Sequence, residues 1–69
     1  MNQFRIEIEK EADGRWIAEI PVLPGALCYG ATKIEATQNV EALALRILAD
    51  RVESGEEVPA LDGAFLVPA

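Results

Sequence analysis

Apolar and polar residues alternate near the start of the chain. Phe4, Ile6 and Ile8 interleave with Arg5, Glu7 and Glu9. A period of two is the pattern of a strand with one dry face and one wet face. Glu11-Ala12-Asp13-Gly14 follows, and its Asp-Gly is a strong hairpin signal. The chain then returns antiparallel through Trp16, Ala18 and Ile20 on the dry face, with Arg15 and Glu19 on the wet one. Ile17 falls on the wet side, where the alternation alone does not account for it. Pro21 and Pro24 donate no backbone hydrogen bond, so the ladder is expected to break between them. Pro24-Gly25 supplies the turn, because Pro presets φ and Gly accepts the positive φ of a type II turn. Ala26 to Tyr29 reads as a short apolar third strand closed by Gly30.

The period then changes. Thr32-Lys33-Ile34-Glu35 has the form of a capping box, in which the Thr32 hydroxyl accepts from the Glu35 N–H and the Glu35 side chain reaches back to the Thr32 N–H. A helix is predicted from about Lys33 to about Glu53, ended by Ser54-Gly55 and Pro59. Ala36, Val40, Leu43, Ala44 and Ile47 share one helical face and are expected on the dry side of the sheet. Ile34, Leu45, Leu48 and Val52 widen the apolar surface around one flank, interrupted by Glu41. Past a loop with a turn at Asp62-Gly63, Phe65-Leu66-Val67 reads as a fourth strand, held to an edge or a sheet terminus by Pro68. The expected fold class is therefore α+β: an antiparallel sheet with one long helix on one face, a single domain spanning residues 1–69.

Size sharpens this picture. A domain of 69 residues buries only about 60% of the surface its unfolded chain exposes, so its core is marginal. Disulfides, a metal or self-association commonly compensate. Cys28 is the only cysteine and there is no histidine, which removes an intrachain disulfide and disfavours a metal site. Self-association, most simply as a dimer, is the remaining remedy. Its expected contacts are the helix flank of Ile34, Leu45, Leu48 and Val52 together with Phe65, Leu66 and Val67.

The net charge of −6 argues against direct nucleic-acid binding and suits a basic protein partner, whose approach it would accelerate. No basic-then-apolar leader and no apolar run of about 20 residues is present, so neither a signal peptide nor a membrane span is expected. With a single thiol, the expected compartment is the cytoplasm.

Candidate chemistry is sparse. Glu7, Glu9 and Glu19 could gather on the wet face and hold a divalent metal. With Arg5 and Arg15 interleaved, such a face is more often solvated and tied by cross-strand ion pairs. Cys28 lacks a base to activate it and reads as a structural thiol. Acyl-transfer triads are excluded without histidine, and no phosphate-cradling loop occurs. Trp16 could stack on a base, but its apolar and acidic surroundings suit a core tryptophan better. No cofactor is expected, and the balance favours a binding protein over an enzyme.

The order of motifs resembles the HicB family of antitoxins. The shared elements are Asp13-Gly14-Arg15-Trp16, Pro21-Val22-Leu23-Pro24-Gly25, Tyr29-Gly30-Ala31-Thr32, and Glu35-Ala36 followed by Asn39 and Glu41-Ala42. The resemblance implies a partial RNase H-like fold without nuclease activity. It also implies a protein that masks HicA, a small basic toxin that cleaves messenger RNA. Glu7, Glu9, Glu19, Trp16 and Tyr29 are the candidate contacts. Two departures matter: Val22 stands where the family commonly has an acidic residue, and the appended DNA-binding domain of full-length antitoxins is not found by Ala69. A solitary homo-oligomeric scaffold or small-ligand-binding domain is the alternative reading, and an acidic-cluster nuclease a third.

Overall fold

Three strands and one helix form in the order the pattern predicts. The computed structural model describes residues 3–68. Strand β1 spans Glu7–Lys10, β2 Trp16–Glu19, β3 Leu27–Gly30, helix α1 Lys33–Glu53, and a 3-10 turn covers Pro59–Leu61. The sheet is antiparallel with order β1-β2-β3. Ile8 stands opposite Ala18, and Ala18 opposite Cys28. Phe4 and Ile6 lie ahead of the ladder but still pack against the core, as their alternation with Arg5 and Glu7 requires.

The hairpin turn is fixed from both sides. Gly14 takes a φ of 91°, which L side chains rarely adopt. The Asp13 carboxylate accepts from the Arg15 N–H at 3.0 Å and from Arg15 Nε at 2.7 Å. At the proline corner two turns run in succession. The Leu23 N–H donates to the Ile20 carbonyl, and the Ala26 N–H donates to the Leu23 carbonyl. Gly25 has a φ of 90°, and Leu23 swings inward to 2% exposure. No periodicity announced Leu23, because it sits between two prolines.

Helix α1 begins at Thr32, whose Oγ1 accepts from the Glu35 N–H at 3.0 Å. The reciprocal bond differs from expectation by one residue: Glu35 Oε1 accepts from the Ala31 N–H at 3.2 Å. The helix ends in a Schellman arrangement, with the Gly55 N–H donating to Val52 O and the Glu56 N–H to Arg51 O.

Its buried face is Ala36, Val40, Ala44 and Leu48, which meet Ala18, Ile20, Leu23 and Ala26 in a core without buried polar residues among those described. Leu48, expected on the outer flank, therefore belongs to the core. The buried line advances four residues at a time along one ridge, and 48 follows 44 on it. Leu43 and Ile47 are half-buried beside that ridge. Gly30 lets the helix approach so closely that a Cβ there would lie 2.4 Å from the Ala36 nitrogen.

The predicted fourth strand is absent from the described residues. Phe65, Leu66 and Val67 join no ladder and are 81%, 89% and 88% exposed. Val58 and Leu61 dock on the core. The chain then turns at Gly63, with φ 79°, and leaves the layered body. The radius of gyration of 14.0 Å exceeds the roughly 11 Å of a compact chain this long.

Candidate functional site

The strand register sorts the sheet into two faces. Glu7 lies directly opposite Glu19, which lies opposite Leu27. One row further along, Glu9 lies opposite Ile17 and Ile17 opposite Tyr29. Ala18 is fully buried under the helix, so pleating sends these six side chains to the other, uncovered face. The helix-side residues Ile8, Ala18 and Cys28 point the opposite way.

The open face therefore has two halves. Along β1 it is acidic, and Glu7, Glu9, Glu11 and Glu19 line a shallow cavity of about 490 Å³ together with Ile17. Along β3 it is apolar, with Leu27 and Tyr29 about two-fifths exposed. Ile17, the residue out of pattern in the sequence, sits at the junction. It is half-buried although no other element lies over it, because side chains from both neighbouring strands flank it.

The arginines do not neutralise this face across the strands. Arg15 bonds Asp13 inside its own turn, and its guanidinium lies 4.4 Å from the Tyr29 ring centroid. That placement is a cation–π contact. Arg5 reaches Glu7 at 3.8 Å, along one strand and largely in solvent. The cross-strand ion pairs expected from the sequence are replaced by these local ones. Glu7 and Glu19 remain face to face, and directly opposed like charges destabilise a sheet. The Asp13 carboxyl is held below its ordinary pKa, first by the Arg15 N–H and then by the Arg15 side chain.

The structure thus brings together Glu7, Glu9, Glu19 and Tyr29 and separates Trp16 from them. Trp16 is half-buried on the helix side and packs against the core. Lys10 sits over its ring at 5.9 Å. Leu27 and Glu11 join the face without a sequence signal of their own, and Ile17 joins it on the side the alternation gives it. Leu27 was legible once Cys28 was placed inside, since neighbours in a strand point to opposite sides. No group of three or more His, Cys, Asp or Glu among the described residues is placed to hold a metal ion. No helix there is long and apolar enough to cross a membrane.

The remaining motif residues turn out to be scaffold. Asn39 Nδ2 donates to the Tyr29 carbonyl at 2.9 Å. The Ile20-to-Ala26 backbone bond sets the alternation that turns this carbonyl outward, so Asn39 occupies a site where another strand would pair. Thr32 and Glu35 cap the helix, and Gly30 admits it.

Fold and surface together define a small α+β domain: a three-stranded antiparallel sheet, one face closed by a helix and the other open and acidic. The chain is similar to the UPF0150 protein Ta0767 of Thermoplasma acidophilum, with 28% identity over 57 residues that make up 83% of each chain. Such even coverage is a likeness of whole small domains, not of a shared motif. No family model matches the chain, and no solved structure matches it.

Proposed function

We propose that the chain is an antitoxin-like protein-binding module of the HicA/HicB type. Its open face docks a small basic mRNA-cleaving toxin and acts sterically, by covering the toxin's catalytic and RNA-binding surface. The observation that carries this reading is the direct opposition of Glu7 and Glu19 beside Glu9, relieved only by the 3.8 Å reach of a largely solvent-exposed Arg5 to Glu7. A sheet face that keeps like charges opposed sacrifices stability, and such local violations concentrate where a surface serves binding. Lysines or arginines from a partner would relieve it. The adjoining Ile17, Leu27 and Tyr29 offer the apolar contact that gives an interface its core. The motif resemblance supports the same reading. Catalysis by this chain forms no part of it.

The test is isothermal titration of the chain with the small basic protein encoded by a neighbouring reading frame. A complex is expected whose affinity falls steeply between low and high salt and weakens at least tenfold in Glu7→Gln/Glu19→Gln. Absence of a complex, or one indifferent to those substitutions, overturns the reading.

A further inference from the structure

A second surface lies on the far side of the molecule from the acidic face. Leu45, Leu48, Ala49, Val52, Leu61 and Phe65 line an apolar groove of about 360 Å³ along the C-terminal half of α1, with Glu53 its one charged lining residue. Phe65 sits on the rim at 81% exposure, and Leu66 and Val67 stand beyond it. The chain therefore carries an unfilled apolar groove and, beside it, an apolar segment that does not fill it. The turn held by Ala64 N–H to Leu61 O and the Gly63 backbone bring Phe65 to the rim of the groove and leave Leu66 and Val67 outside it.

We propose that this groove receives residues 65–67 of a second copy of the chain, in a two-fold exchange that seats two segments in two grooves. Self-complementarity argues for a second copy over a foreign partner. A two-fold interface requires one patch to hold both halves of each contact, and here knob and groove belong to the same patch. Extent argues the same way. Leu45, Val52, Phe65, Leu66 and Val67 are each 53% to 89% exposed. Together they present on the order of several hundred Å² of apolar surface, as much as the largest patch a monomer usually leaves bare. That approaches the roughly 800 Å² per partner of a standard interface. Electrostatics set the salt response. Two chains of net charge −6 repel, so screening favours the pair, the reverse of the salt response proposed for the acidic face. The inference does not rest on the toxin-binding reading, and either can fail alone.

The experiment is sedimentation of the full chain from about 1 to 100 μM at low and high salt. The expected mass is twice the 7.5 kDa chain, with the dimer as tight or tighter at high salt. Phe65→Ser/Leu66→Ser and Leu45→Gln/Val52→Gln change exposed positions and should keep the helical circular dichroism. Each should weaken the dimer at least roughly 30-fold. An equimolar mixture of the two variants restores one segment-in-groove contact and should recover heterodimer. A wild type that stays monomeric at the top concentration overturns the proposal. So does a dimer insensitive to both variants, or a mixture that stays as monomeric as its components.

Discussion

The two faces of the sheet obey opposite rules. On the helix side every choice agrees: Ala18, Ile20, Leu23 and Ala26 are at most 2% exposed, Gly30 admits the helix, and Asn39 covers the outward Tyr29 carbonyl. On the open side two glutamates face each other and an isoleucine lies at the centre with no layer above it. The closed face is a solved packing problem. The open face keeps like charges opposed, which costs an isolated chain stability and which the proposed basic partner would relieve. The difference also shows what a family resemblance can carry. Gly30, Thr32, Glu35 and Asn39 supply much of the motif, and all four act on the helix side or at its entry. They speak for the scaffold, while of Glu7, Glu9, Ile17, Glu19, Leu27 and Tyr29 on the open face only Tyr29 belongs to that motif.

Substitutions should separate the two faces. The largest effect is expected from Gly30→Ala. The new methyl would meet helix backbone, which cannot move aside as a side chain would. A loss of about 3 kcal/mol or more in denaturant unfolding is expected, at the upper end for overpacking. Val40→Ala leaves a void in the most enclosed part of the core and should cost about 2 kcal/mol in the same measurement. Equal stability in either variant would contradict the close helix–sheet contact. Asn39→Ala exposes a strand-edge carbonyl and should cost about 1 kcal/mol. Light scattering should also show increased association through the uncovered edge.

On the open face the sign reverses. Glu19→Gln removes the like-charge opposition and should raise stability by about 0.2–1 kcal/mol in low salt, a gain that shrinks as salt is added. A destabilised Glu19→Gln would mean that the acid is satisfied within the chain. The smallest effect concerns Asp13. Its native pKa lies below the ordinary 3.8. Its contribution is therefore present above that value and is lost as pH falls through the lower native one. Acid unfolding followed by circular dichroism should be slightly less pH-dependent below pH 4 in Asp13→Asn than in the wild type.

Much of this was legible in the sequence wherever one local signal decides one local structure. The capping box and Ser54-Gly55 bracket the helix, and Asp13-Gly14 and Pro24-Gly25 set the turns. Legibility failed where the outcome depends on a distant neighbour. Phe65-Leu66-Val67 has strand propensity, but propensity does not supply a pairing, and the segment joins neither edge of the three-stranded sheet. Leu48 reads from the sequence as a flank residue because the helix offers more apolar positions than one sheet face can cover. Which ridge wins is decided by where Gly30 and Ala26 let the helix settle. For the acidic face the alternation placed Glu7, Glu9 and Glu19 correctly. It left their direct opposition unseen, since register across a hairpin follows from the turn's hydrogen bonds.

The most direct test of the central claim is an NMR titration of the isotopically labelled chain with the proposed partner, a small basic protein encoded by a neighbouring reading frame. The account predicts amide shifts confined to Glu7, Glu9, Ile17, Glu19, Leu27 and Tyr29, with Ala36, Val40 and Ala44 unmoved. Shifts centred on the helix flank, or none at saturating partner, would contradict it.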